Sequence, residues 1–233
     1  MNKEKEFENY LSISPNKFGI YLFDVKSFTI LYKEELNIND NRGYLDINLL
    51  KKFLDNNIFK IEKLSGKFVE NIFLIFDDKK ILNLEIGIKK KNYNYFITKE
   101  ILENLLIELK DLFRENYPDQ EIIHMIVSKY YINHKNYLLF EENLKSDHLA
   151  VEVKFKSISN NIIYDFNKIL ENHQIKIIKF LDGNYVNNFF NKDLNLPEMS
   201  HKILNGCNEN EVSFVVKKPK KSNFFEKFFQ LFS

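Results

Sequence analysis

The chain has 233 residues, 44% hydrophobic and 29% charged, enough for one large or two small domains with their own cores. Its 34 lysines and arginines offset 33 acids, and Arg42 and Arg114 are the only arginines, so the arginine-rich basic surface of a nucleic-acid reader is excluded. The glycines are Gly19, Gly43, Gly66, Gly87, Gly183 and Gly206, and no two have the spacing of a GxGxxG or GxxxxGK phosphate cradle.

Met1 to Asn9 lacks the apolar core of a secretory signal, and Cys207 has no second cysteine to pair with, so a reducing cytoplasm is expected. No apolar run approaches the ~18 residues that would cross a bilayer. After a polar lead-in, Phe18 to Val25 and Phe28 to Glu34 read as a hairpin turning near Lys26 and Ser27. Asp46 is placed to cap a helix whose apolar residues recur from Leu49 to Leu64 and which Gly66 ends. Strands follow at Asn71 to Phe76 and Lys80 to Ile88. Thr98 opens a second amphipathic helix that stops before Pro118. Strands are then expected at Glu121 to Ser128, at Tyr130 to Ile132 and through the alternating Leu149, Val151, Val153 and Phe155. Ser159 begins a third helix, Ile175 to Leu181 forms a strand, and short helical pieces lie near Tyr185 to Phe190 and Glu198 to Leu204. This order of elements implies an α/β to α+β fold in two lobes.

Chemistry is sparse in the pattern. The five histidines are scattered without a metal-ligand spacing, and His124, between Ile123 and Met125, reads as a satisfied strand histidine. No GxSxG elbow marks a nucleophile, and Lys89 to Lys91 reads as an exposed turn.

The carboxyl end is more specific. At about 100° per residue, Phe224, Phe225, Phe228, Phe229, Leu231 and Phe232 fall within one arc of about 160°, and Glu226, Lys227, Gln230 and Ser233 fill the rest. Ser222 is a suitable cap, and Lys217, Lys218, Lys220 and Lys221 flank Pro219 just upstream. So short a helix is marginal alone in water and needs a surface. Anionic lipid suits the lysines and the aromatic face; the alternative is docking on the protein's own body.

The order of these segments resembles FtsA, the actin-like family that ties the bacterial division ring to the membrane. Asp24-Val25-Lys26-Ser27 is similar to its first phosphate loop, of the form Asp-Ile-Gly-Ser/Thr. The stretch from Gly43 resembles the family's Gly-x-Ile-x-Asp opening of its first helix, Glu62 to Gly66 that helix's end, Val69 to Ile81 the strand pair after it, and Ile97 to Glu100 the start of the next helix. Ile122 to Asn133 resembles Ile-x-His-x-Ile-Pro-x-x-Tyr-x-Ile-Asp, agreeing at His124, Ile126, Tyr130 and Ile132, with Val127 for the proline and Asn133 for the aspartate. Leu149 to Ser159 and the helix to His173 resemble the rest of the family's inserted subdomain.

The resemblance implies a partial actin-like, ribonuclease-H-like first domain over residues 1–82 and 175–210, and an inserted subdomain over 83–174. A basic linker at 211–221 and an amphipathic membrane helix at 222–233 complete this reading. It implies a peripheral adaptor on the cytoplasmic face of the inner membrane, at the division site. Partners would be other division proteins, FtsZ among them, or further copies through the inserted subdomain, and no nucleic acid. Lys26 stands where the loop needs glycine, and the 43 residues after Phe190 are too few for the family's second domain. ATP hydrolysis is therefore not expected, and no cofactor is, unless Asp24, Lys26 and Ser27 still hold ATP and magnesium. The alternative is an actin-like nucleotide-binding protein completed by a separate chain, or one of the pilus-assembly branch. A structural domain with its terminal phenylalanines packed inward is the third reading.

Overall fold

The structure is a computed structural model and describes residues 6–38, 45–190 and 194–213. Its first lobe is built on a five-stranded sheet of order β3-β2-β1-β4-β9. Here β1 is Phe7–Ser14, β2 Lys17–Asp24, β3 Thr29–Asn37, β4 Asn71–Phe76 and β9 Lys176–Asp182. β1, β2 and β3 form an antiparallel meander, whereas β1, β4 and β9 run parallel.

Helices cover both faces. Successive residues of a strand point to opposite sides, so Leu11, Ile13, Ile20, Leu22, Leu74 and Phe76 share one core with helix α1 (Ile47–Ser65) and helix α3 (Asn160–Glu171). Tyr10, Tyr21, Phe23, Ile75 and Leu181 form the other core, under α4 (Gly183–Phe189) and α5 (Leu196–Leu204). α1 has the expected ends: Asp46 accepts the amide of Leu49, and Gly66 closes the helix at φ 72°, which costs glycine nothing.

The second lobe is an antiparallel sheet of order β5-β8-β6-β7. β5 is Leu82–Phe96, β6 Gln120–Ile132, β7 Lys135–Tyr137 and β8 Lys145–Ser159. Helix α2 (Lys99–Asn116), capped by Thr98, packs Leu105, Leu106, Leu109 and Phe113 on one face against Val151, Val153 and Phe155. Phe113 stacks on Phe155 with ring centroids 4.8 Å apart. The other face carries Glu85, Ser128, Glu152 and Lys154, the one-sided pattern of an antiparallel sheet open to water.

Three features differ from the sequence expectation. The lead-in contains β1, the central strand of the first sheet, whose apolar Tyr10, Leu11 and Ile13 are interleaved with Glu8, Asn9 and Ser12. The expected pair of strands from Glu121 to Ile132 is one strand with two register shifts against β8. α3, placed by the sequence with the insertion over 83–174, instead buries Phe166, Ile169 and Leu170 in the first core. After α5 the chain crosses to the second lobe, where Val212 donates to the carbonyl of Met125 and Val127 to that of Asn210, extending β6 sideways.

Candidate functional site

In an open sheet with parallel strands, ligands settle at the carboxyl ends of those strands. Here that end is formed by the turn after β1, by Asp77 and Asp78 after β4, and by Asp182 closing β9. The β1–β2 turn, Ser14-Pro15-Asn16-Lys17, has no glycine to bring its backbone against a phosphate, and its Lys17 is paired with Glu35 at 2.9 Å.

Asp182 is the hub. Its Oδ1 accepts the amide of Asn184 at 2.9 Å and so caps α4, while Oδ2 receives the Lys156 ammonium at 2.5 Å. Lys156 comes from β8 in the other lobe, and its ammonium also donates to Asn83 Oδ1 at 2.7 Å. The amide of Asp182 donates to His124 Nε2 at 3.0 Å, which fixes the His124 proton on Nδ1, facing Glu211 Oε1 at 2.7 Å. Tyr185 donates to the second Glu211 oxygen at 2.8 Å and lies edge-on to the His124 ring. Gly183 is required where it is: a Cβ there would come within 2.8 Å of the Asp77 Cβ.

The charges follow from this crowding. Burial pushes the Asp77 carboxyl above its ordinary range, and the neighbouring Asp182 and Asp78 add to it. For Glu211 burial pushes the same way, but the hydrogen bonds from His124 and Tyr185, with the nearby Lys179 ammonium, outweigh it, and the carboxyl sits below its usual value. Burial raises the Tyr185 hydroxyl, so it stays a donor. Both Asp182 oxygens and both Glu211 oxygens are engaged by protein donors, and among the described residues no group of three or more His, Cys, Asp or Glu side chains is arranged to hold a metal ion. The arrangement can lock two lobes together; it presents no activated nucleophile.

The phosphate-loop residues of the sequence reading lie elsewhere. Asp24 ends β2 opposite Phe7, at the amino ends of the parallel strands. Its Oδ1 accepts the amides of Lys26 and Ser27 at 2.9 and 3.4 Å, and the Ser27 hydroxyl meets that of Thr29 at 2.7 Å. This is a local Asx turn on the far side of the sheet from Asp77 and Asp182. The reason is β1: with that strand ahead of β2, the turn at the carboxyl end of the parallel strands is the β1–β2 turn, and the β2–β3 turn that holds Asp24 lies at their amino ends. Lys156, Glu211 and Asp182 carry no signal of their own in the sequence, and His124, which reads there as a satisfied strand histidine, is the hub member visible in it. The residues expected to bind a membrane, Lys217, Lys218, Lys220, Lys221, Phe224, Phe225, Phe228, Phe229, Leu231 and Phe232, lie outside the described residues. Among the described residues no helix is long and apolar enough to cross a membrane.

No family pattern matches the chain, and no curated protein does. Among solved structures it is similar to a PilM-PilN type IV pilus biogenesis complex, at 9% identity over 79% of this chain and 50% of that one, TM-score 0.48. It is similar to the cytoplasmic domain of EpsL, an inner membrane component of the type II secretion system of Vibrio cholerae, at 6% identity over 76% of this chain and 57% of that one, TM-score 0.36. It is also similar to a Bacteroides thetaiotaomicron protein of actin-like ATPase fold and unknown function, at 15% identity over 80% of this chain and 56% of that one, TM-score 0.32. The chain thus spans between 50% and 57% of the length of these solved chains.

Lys156→Met strands the Asp182 carboxylate, a side chain 2% exposed, and should cost about 3 kcal/mol or more in urea unfolding; the double change with Asp182→Asn should recover a good part of it. Because Glu211 titrates below its unfolded value, its contribution is complete above the ordinary carboxylate pKa of about 4.3 and is lost as the pH falls toward the folded value. Glu211→Gln should therefore lower stability at pH 7 and flatten its decline in acid, read from melting temperatures between pH 7 and pH 3.

Proposed function

We propose that the chain is an actin-like scaffold protein that acts by binding partners in a membrane-associated bacterial assembly, without nucleotide chemistry. What supports the fold is the sheet itself, an antiparallel three-strand meander followed by two parallel strands with helices on both faces; the weak likenesses to solved structures are not needed for it. The observation that carries the function is the Lys156–Asp182 pair, a protein cation seated on the acid at the strand end where such a sheet would otherwise take its ligand.

The assembly we favour is of the pilus-assembly kind, ahead of cell division. The residues that carry the resemblance to the division family have structural duties: His124 belongs to the Asp182 hub, Tyr130 and Ile132 are buried in the second core, and Ile126 is half-buried opposite Lys154. That match therefore speaks for a shared fold and leaves division without a residue of its own. In both settings the tail from Lys217 would hold the protein at the inner membrane face, and no catalytic role is assigned to any side chain.

Calorimetry with ATP and magnesium should give no binding at micromolar concentration. Binding abolished by Asp77→Asn or Asp182→Asn would overturn the proposal. A fluorescent fusion of the full chain should mark the membrane evenly or at discrete assemblies, whereas a midcell band would restore the division reading.

A further inference from the structure

The amino ends of the parallel strands are open where the carboxyl ends are closed. A groove of about 730 Å³ runs past the starts of β1 and β4, and a second of about 540 Å³ continues it between α1 and the turn after α3, both lined by Phe68. Three large apolar side chains stand in it unburied: Phe68 is 83% exposed, Phe59 71% and Ile178 53%. Its charged lining includes Glu6, Glu62, Glu70 and Asp55 against Lys26 and Lys67, with His173 leaning on Asp55, so the groove is net acidic. Asn9 Oδ1, a buried acceptor with no hydrogen-bond partner among the described residues, belongs to the same wall.

One segment of this chain complements that surface in both respects. Residues 217–232 place four lysines ahead of six apolar side chains on one arc. Reach is available as well. Ser213 shares a small cavity with Lys179, and the neighbouring Ile178, at the register shift of β9 against β4, lines the groove. The eight residues 214–221 can extend up to about 26 Å, ample for passing around the edge of one strand.

We propose that the tail docks in this groove of its own chain, phenylalanines over Phe59, Phe68 and Ile178 and lysines along the acids, so that the apolar face is covered when no membrane is engaged. Docking itself is independent of the proposed function; the competition with lipid rests on the membrane part of that reading.

The chain has no tryptophan, so Phe228→Trp makes the tail its one indole reporter. In the monomeric full chain, without lipid, its emission should be blue-shifted and shielded from acrylamide. Phe59→Ser with Phe68→Ser, at exposed positions, should raise quenching several-fold while leaving the circular dichroism melt in place; Glu62→Lys with Glu70→Lys should do the same by charge. An exposed indole in the parent overturns the proposal, as does shielding that neither groove variant relieves, or shielding that sedimentation ties to a dimer. Added phosphatidylglycerol vesicles should bind the groove variants several-fold more tightly than the parent, because the docked state no longer competes. If no form binds vesicles, the membrane reading fails while the shielding experiment still decides the docking.

Discussion

Beside the apolar contacts of Ile123 and Ile158 with the first core, the two lobes are pinned together at one strand end, that of β9. Asp182 is reached from the second lobe by the Lys156 ammonium through its carboxylate and by His124 through its amide, while its remaining oxygen starts α4. A buried pair of this kind is worth little as net stability, because desolvation takes back most of the Coulombic gain. Its effect is on geometry. A histidine that accepts at Nε2 and donates at Nδ1 has one workable orientation, and a carboxylate satisfied on both oxygens tolerates no drift. Through Glu211 the same cluster also pins the final described stretch, which sets the side of the molecule from which the tail departs.

The helices were legible because their signals are local. Asp46, Thr98 and Gly66 end α1 and α2 where capping chemistry requires, and the 3.6-residue spacing of Leu105, Leu109 and Phe113 names the buried face. The antiparallel insertion was partly legible by alternation through Leu149, Val151, Val153 and Phe155, since one face is wet. β1 was not, for a physical reason. A central strand is covered on both sides, and this one reaches that state with Tyr10 hydroxyl-bonded to Glu8 and with small Ser12 between Leu11 and Ile13, so neither a continuous apolar run nor a clean alternation survives. With β1 in place, the Asp24 turn falls at the amino ends of the parallel strands, away from the end where an actin-like phosphate loop is expected. The hub was beyond reach for another reason: Lys156 and Asp182, or His124 and Glu211, meet only through the tertiary fold.

The two ends of the first sheet present different surfaces. The end at which an α/β sheet ordinarily works is filled by the protein's own lysine and histidine, with Gly183 packed too closely on Asp77 to leave a gap. The opposite end keeps exposed phenylalanines beside carboxylates, a combination suited to a chain segment and poorly suited to a small polar ligand.

The insertion also bears on how the chain assembles itself. β4 and β9 are neighbours in the sheet but are separated in sequence by the whole second lobe, which would make their pairing a slow, long-loop event. Yet Leu82, where the second lobe begins, stands opposite Ser157, where its sheet ends. Once β5 and β8 have zipped, the excursion closes into a stem, and what remains between β4 and β9 is the crossover through α3 that two parallel neighbours require. Loop-closure entropy therefore favours forming the sheet of the second lobe ahead of the β4–β9 pairing that completes the first.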